Sequence, residues 1–164
     1  YTADCIPILI ADKETRNIAA CHSGLKGLKN QIISKTIKRL KEIGSKKNNL
    51  IVAFGPSITG NNYQVDKKDI NDILIDIIGE KYTNQSFHIV KLNKEMLITL
   101  FRKNMKPEKL LFDIQAAAML QLEKEGIKRS QIDVGRICTY ENQKLLNSYR
   151  RDRSYLRQWN CIYS

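Results

Sequence analysis

The sequence predicts a single domain of the α+β (mixed α/β) class, in which mixed β-sheets are flanked by helices. The chain has 164 residues, of which 42% are hydrophobic, so it can bury one sizeable core. Short apolar segments typical of strands alternate along the chain with segments of helical periodicity. No repeat or linker divides it, so one domain is expected to span residues 1–164. No apolar run approaches the ~20 residues that a membrane-spanning helix needs, so no membrane partner is expected.

The first half is expected to contain a β-hairpin, a long helix, a buried strand and a second helix. Residues 5–11 and 17–21 are apolar, and the polar residues 12–16 between them are typical of a hairpin connection. Apolar residues at helical spacing from Leu28 to Ile43 predict one helix, which Gly44 would end. The other elements expected here are a strand at 50–54, a turn at 55–57 and a helix at 67–78 that ends at Gly79.

The second half is expected to continue the alternation of strands and helices. Residues 87–92 resemble a strand, and Asn93 could cap a helix over roughly 94–103. Pro107 would then break the chain before a helix at 110–125, which Gly126 would end. Two further strands are expected at 132–138 and 159–163.

The chain is strongly basic. Its 28 Lys and Arg residues exceed its 17 Asp and Glu residues by 11, which suits polyanions, phosphate-bearing substrates or simple solvation. The charge is concentrated in residues 24–50, where eight basic residues face a single Glu42. This stretch supports a basic nucleic-acid-binding module as a non-enzymatic alternative. We do not expect a nucleic-acid partner, because no aromatic stacking run, RNP signature or zinc-finger spacing accompanies it.

The cysteines and histidines limit the possible chemistry. The four cysteines are too far apart for paired CxxC zinc ligands, and with no export signal we expect a reducing, cytoplasmic setting without disulfides. The only histidines are His22 and His88, and no motif surrounds His88. If residue 11 pairs with residue 16, Cys5 lies opposite His22, with Cβ atoms ~4.5–5.5 Å apart. The two side chains could then share a metal ion or a proton, and Cys21 would point into the core.

Three further segments could bind an anion, although each also has an ordinary structural interpretation. The glycines and Lys26 of residues 23–27 could approach an anion, or form a plain strand–helix turn. Residues 55–60 could form a backbone nest for an anion, or only a turn. In residues 149–155, Arg150 and Arg151 could clamp phosphate, or belong to a surface cluster of ion pairs.

Several motifs occur in the order found in the YfiH-type family, and the chain resembles that family over nearly its whole length. The family carries laccase-domain and polyphenol oxidase labels and is described as purine nucleoside phosphorylase. The motifs are Thr2-Ala3-Asp4-Cys5-Ile6-Pro7, residues 20–27, Phe54-Gly55-Pro56-Ser57-Ile58, residues 113–117, Cys138-Thr139 and Ser148-Tyr149-Arg150-Arg151-Asp152.

The resemblance implies a YfiH-like fold and a cytoplasmic enzyme with zinc, or with copper, held by His, Cys and His. It implies phosphorolysis of adenosine, inosine, guanosine and methylthioadenosine, and deamination of adenosine. Cys5 and His22 match two of the metal ligands and are the expected catalytic residues. Lys26, Arg150 and Arg151 are the candidates for binding inorganic phosphate.

The chain also departs from the family pattern. Leu25-Lys26 stands for the usual Trp-Arg, Asn61-Asn62 for paired cysteines, and Gln64 for Glu. The family's first histidine lies upstream of the Asp4-Cys5 motif, in a portion that residues 1–164 do not include. We therefore expect an N-terminally incomplete member, which by itself binds zinc weakly and shows little phosphorolysis. The alternative enzyme is a thiol hydrolase or deamidase, in which His22 activates Cys5 as a nucleophile.

Overall fold

The computed structural model of the chain describes residues 1–78, 87–92, 96–103 and 109–164. Within them, eight strands and five α-helices follow one another. The strands are β1 (Ile6–Asp12), β2 (Ile18–Ser23), β3 (Leu50–Phe54), β4 (Gln64–Asp66), β5 (Phe87–Leu92), β6 (Met96–Lys103), β7 (Lys109–Phe112) and β8 (Ile132–Val134). The helices are α1 (Leu25–Lys29), α2 (Ile32–Glu42), α3 (Lys67–Ile78), α4 (Ile114–Lys124) and α5 (Tyr149–Asp152). The predicted mixed class is confirmed.

The first sheet has the strand order β2-β1-β3-β8, and its strands carry residues of three of the six family-like motifs. Strand β1 pairs antiparallel with β2 and with β3, whereas β3 and β8 run parallel. Ile6, Ile8 and Ile10 alternate along β1 and are buried, so one face of this sheet forms part of the core. The predicted hairpin and the predicted strand at 50–54 are confirmed.

The register of the hairpin corrects one prediction. His22 lies opposite Pro7, and Ala11 lies opposite Ile18, so Cys5 is not directly opposite His22. The connection is longer than expected, because the Asp12 carboxylate accepts hydrogen bonds from the backbone N–H groups of Glu14 and Thr15 at 2.9 and 3.0 Å. A left-handed residue, Arg16 with φ 64°, completes the loop. The shift is two residues, so the alternation of faces is preserved, and Cys21 packs against the core as predicted.

The second sheet has the order β4-β7-β6-β5, and all its pairs are antiparallel. The predicted strand at 87–92 is confirmed, but the helix predicted over 94–103 is wrong, because Met96–Lys103 is strand β6. Its apolar run is short enough to suit a strand or a helix, and pairing with strands on both sides decides the outcome. Asn93 and Pro107 lie outside the described residues.

The other helices expected from the sequence are present, two of them with changes. The helix predicted from Leu28 to Ile43 is divided into α1 and α2 at Gln31, which has φ 53°. Helix α3 has the predicted bounds, although Gly79 lies outside the described residues. The helix predicted at 110–125 begins only at Ile114, because Lys109–Phe112 pairs as β7 and the Asp113 side chain caps α4. Every residue from Ile114 to Leu122 is buried, so α4 lies inside the core.

The C-terminal residues lie against the other face of the first sheet. Instead of the strand predicted at 159–163, a single antiparallel bridge joins Gln158 to Thr2. Ile162 shares with Leu9 and Ile51 the lining of a hollow of about 500 Å³. The strand predicted at 132–138 is also shorter, with only Ile132–Val134 paired and an isolated bridge at Cys138. In the described part of the chain, no helix is long and apolar enough to cross a membrane.

Candidate active site

The Asp4 carboxylate joins the beginning of the chain to its C-terminal third. Its Oδ1 atom accepts hydrogen bonds from the hydroxyls of Thr139 and Ser148, both at 2.7 Å. Its Oδ2 atom accepts a hydrogen bond from the backbone N–H of Arg150, also at 2.7 Å. Three motifs that are far apart in the sequence therefore meet at one side chain, directly beside Cys5. Sequence reasoning included Asp4 in a motif but assigned it no role.

Cys5 lies one residue before β1 and is half-buried. Burial raises the pKa of its thiol, the negative charge of Asp4 raises it further, and the Arg157 guanidinium opposes both effects. A cysteine that acts as a nucleophile needs the opposite, a lowered pKa. This arrangement therefore does not favour the thiol hydrolase alternative. A β-carbon built on Gly24 would lie 2.4 Å from the Cys5 Sγ atom, so only glycine leaves room for the sulfur.

His22 lies near the end of β2 and is exposed. Together with Pro7, Asn160 and Tyr1 it lines a hollow of about 120 Å³ at the edge of the first sheet. His22 is opposite Pro7, and the pairing of β1 with β2 ends at Ile6 and Ser23, so Cys5 lies just beyond the paired residues and two positions before the residue that faces His22. The other histidine, His88, belongs to β5 of the second sheet, opposite Phe101.

Tyr63 and Arg150 form a pair next to Cys5. The guanidinium carbon of Arg150 lies 5.1 Å from the centre of the Tyr63 ring, and its Nη1 atom donates a hydrogen bond to the Gln64 carbonyl at 3.0 Å. Burial is the main cause that raises the pKa of Tyr63 to about 12; Cys5 and Asp4 add to it, whereas Arg150 lowers it. No sequence signal singled out Tyr63, because its neighbours come from distant segments.

Arg151 differs from Arg150, because all five of its side-chain N–H donors have protein acceptors. Nη1 donates to the carbonyls of Thr139 and Tyr140, and Nη2 donates to the carbonyl of Leu146. The remaining two donors bind the carboxylate of Asp152. In this arrangement Arg151 holds the surrounding loop together and has no open N–H donor for a phosphate ion.

The remaining predicted anion sites have simpler interpretations. In the turn after β3, the N–H groups of Gly55, Ser57 and Ile58 donate to protein carbonyls, so they do not form an anion nest. Lys26 is exposed on α1. The basic face of α2 is also exposed, and its Arg39 forms an ion pair with Glu42.

The metal-binding expectation is only partly met by these residues. Within the parts of the chain that the structure describes, no group of three or more His, Cys, Asp or Glu side chains could hold a metal ion. Cys5 and His22 are suitable zinc donors by type, but zinc in proteins normally has three or four protein ligands. Cys5 and His22 therefore form an incomplete donor set, which needs at least one further ligand to hold zinc.

The chain is similar in sequence to known proteins over its whole length. A family model described as multi-copper polyphenol oxidoreductase laccase matches residues 1–164. A protein of Synechocystis sp. named purine nucleoside phosphorylase is 33% identical over 167 residues, which are 99% of this chain and 62% of that protein. A protein of Aquifex aeolicus with the same name is 36% identical over 163 residues, with coverage of 98% and 62%.

Solved structures agree with this result. The crystal structure of YlmD from Geobacillus stearothermophilus matches with a TM-score of 0.77 and 25% identity, over 92% of this chain and 50% of that one. The Bacillus licheniformis hypothetical protein YfiH matches with a TM-score of 0.74 and 24% identity, over 92% and 51%. The chain thus spans half to three-fifths of the length of these proteins. The expected YfiH-like fold is confirmed, and the chain belongs to the laccase-like (YfiH) family, several of whose curated members are named purine nucleoside phosphorylases.

Proposed function

We propose that the protein is a purine nucleoside phosphorylase, which cleaves adenosine, inosine, guanosine or methylthioadenosine with inorganic phosphate. The names of its relatives support this reaction class. In this chain, the observation that carries the proposal is the Asp4 carboxylate, which joins the Cys5 segment to the Arg150 segment. Asp4 thus brings together the segment of Cys5, whose thiol can bind a metal, and the segment of Arg150, whose guanidinium can bind phosphate.

In the proposed mechanism, Arg150 binds phosphate and Lys26 supplies a second positive charge to it. A guanidinium presents N–H donors in a planar fork that matches two phosphate oxygens. Bound in this way, phosphate can attack C1′ of the ribose while the purine leaves and accepts a proton. The Arg150 side chain suits this role, because Gln64 and Tyr63 hold it while other N–H donors have no partner within the described residues.

We propose that Cys5 and His22 are two of the ligands of a zinc ion, with copper as the alternative metal. A thiolate and an imidazole are both common zinc ligands, and Cys5 lies two positions before Pro7, the residue opposite His22. A zinc ion held by these residues and a third ligand would lower the pKa of a bound water, which is the chemistry that deamination of adenosine requires. We further propose a reducing, cytoplasmic setting, which suits a chain whose four cysteines are all free.

The test combines metal analysis with an assay of nucleosides and phosphate, using the protein as its gene encodes it. Adenosine or inosine with phosphate should yield the free base and ribose 1-phosphate, separated by chromatography. Cys5→Ala and His22→Ala should each lose bound zinc and at least most of the cleavage. Cys161→Ala is the matched control, because Cys161 is an exposed free thiol. Full activity in both the Cys5 and His22 variants would contradict the assignment of these ligands.

A further inference from the structure

We propose that Tyr63 is a positioning residue, which holds the Arg150 guanidinium in place and thereby sets the affinity of the protein for phosphate. The inference rests on the proposed function and extends it to a residue outside the predicted site. Tyr63 precedes β4 in the second sheet, whereas the backbone of Arg150 is bound by Asp4 beside the first sheet. The guanidinium therefore lies where the two halves of the fold meet.

Arg150 is held at three points. Its backbone N–H donates to Asp4, its Nη1 donates to the carbonyl of Gln64, and its guanidinium carbon lies 5.1 Å from the centre of the Tyr63 ring. The positive charge of Arg150 also lowers the pKa of the Tyr63 hydroxyl, so the two side chains interact electrostatically as well. Of the five N–H donors of an arginine side chain, Gln64 thus engages one. The other donors have no protein partner in the described ranges, in contrast to the fully engaged Arg151.

Tyr63 is itself well fixed. Its side chain is partly buried against the hydrophobic core, and its carbonyl accepts a hydrogen bond from the Phe112 N–H at 3.0 Å. Its neighbour Gln64 pairs with Leu111 in the second sheet. A long arginine side chain loses rotational freedom when it binds an anion, and a rigid aromatic surface removes part of that cost in advance. A mobile guanidinium should bind phosphate less tightly.

The proximity of Tyr63 to Cys5 and Asp4 connects it to the rest of the candidate site. The charges of both groups affect the Tyr63 hydroxyl. Asp4, which is next to Cys5 in the chain, binds the Arg150 backbone N–H at 2.7 Å, so an anion bound by the open donors of Arg150 would lie in the same region of the fold as Cys5. The position of Tyr63 explains why a phosphate-binding arginine can be half-buried here without an acidic partner for its side chain among the described residues.

The test compares Tyr63→Phe and Tyr63→Leu with the wild type, in the protein as its gene encodes it. Phe keeps the ring and loses the hydroxyl, whereas Leu loses both. We expect Tyr63→Leu to raise the KM for phosphate by about fivefold or more, and Tyr63→Phe by less. The kcat at saturating phosphate and the KM for the nucleoside should change by less than about twofold. A purely structural defect would lower kcat, and excess phosphate would not restore it.

Two controls distinguish a failure of the role inferred for Tyr63 from a failure of the proposed function. Tyr163→Leu replaces an exposed tyrosine near the C-terminus and should leave the KM for phosphate unchanged. The rise in melting temperature caused by inorganic phosphate is measured in parallel, without nucleoside. If the wild type lacks phosphorolysis but phosphate raises its melting temperature, and Tyr63→Leu abolishes that rise, the proposed function fails and the role of Tyr63 stands. An unchanged KM for phosphate in Tyr63→Leu, or a wild type that phosphate does not stabilise, would overturn the inference.

Discussion

The contact between Gly24 and Cys5 allows a direct test of the site geometry. In Gly24→Ala, the new β-carbon would lie 2.4 Å from the Cys5 Sγ atom, more than 1 Å inside an ordinary contact distance. The backbone of Gly24, with φ −100° and ψ −170°, is extended and accepts alanine without strain. The sulfur contact is therefore the source of the expected cost, which for overpacking is about 1–3 kcal/mol.

A double-mutant cycle isolates this contact. In the Cys5→Ala background the sulfur is absent, and the nearest remaining atom, the residue-5 β-carbon, lies at an acceptable 3.4 Å. There, Gly24→Ala should be neutral or should stabilise the protein by up to about 1 kcal/mol, because alanine reduces the entropy of the unfolded chain. The two changes should thus show a coupling of about 1–3 kcal/mol.

The assay is urea unfolding of the wild type, the two single variants and the double variant, followed by circular dichroism. Gly44→Ala provides a control. Its cost comes from a φ of 97°, and a β-carbon there would meet no atom within 4 Å. It should therefore be the same with or without Cys5. If the changes at residues 24 and 5 add to within about 0.5 kcal/mol, the sulfur does not occupy the position described, and the reasoning is refuted.

Three other substitutions test the surrounding fold. Asp113→Ala removes the side chain that accepts a hydrogen bond from the Ala116 N–H at the start of α4. It should lower the free energy of unfolding, measured in urea, by about 1 kcal/mol, and Asp113→Asn should lower it by less. Phe112→Ala removes a fully buried ring and should cost about 3–5 kcal/mol by the same measurement. Asp12 tests pH dependence: burial would raise its pKa, but hydrogen bonds from Thr15, Glu14, Lys46 and Ser45 outweigh burial and lower it. The contribution of Asp12 to the free energy of unfolding is therefore complete above the ordinary aspartate pKa of about 3.9, and it is lost as the pH falls through the lowered pKa. Asp12→Asn should flatten this part of the pH–stability profile, measured by urea unfolding.

Local patterns predicted most of the first sheet, including the hairpin and β3, because alternation and turn residues are local signals. The register was wrong by two residues, since the loop length depends on how the Asp12 carboxylate caps the turn. The helix predicted at 94–103 was wrong, because the pairing of β6 depends on strands elsewhere in the chain. Likewise, Arg151 has acceptors for all its side-chain N–H groups and Arg150, among the described residues, does not. This difference depends on backbone carbonyls outside the motif of residues 148–152, so the motif could not predict it.

The hydrogen bonds of Asp4 also constrain how the protein is made. Asp4 and the Arg150 N–H are 146 residues apart in the chain, and Asp4 and Ser148 are 144 apart. At 5–20 residues per second, a ribosome needs roughly 7–30 s to complete that span. Throughout this time Cys5 is already synthesised, but its final surroundings do not yet exist. The site therefore cannot form until residue 150 has been synthesised, and a chain terminated before residue 148 would have both Cys5 and His22 but no assembled site.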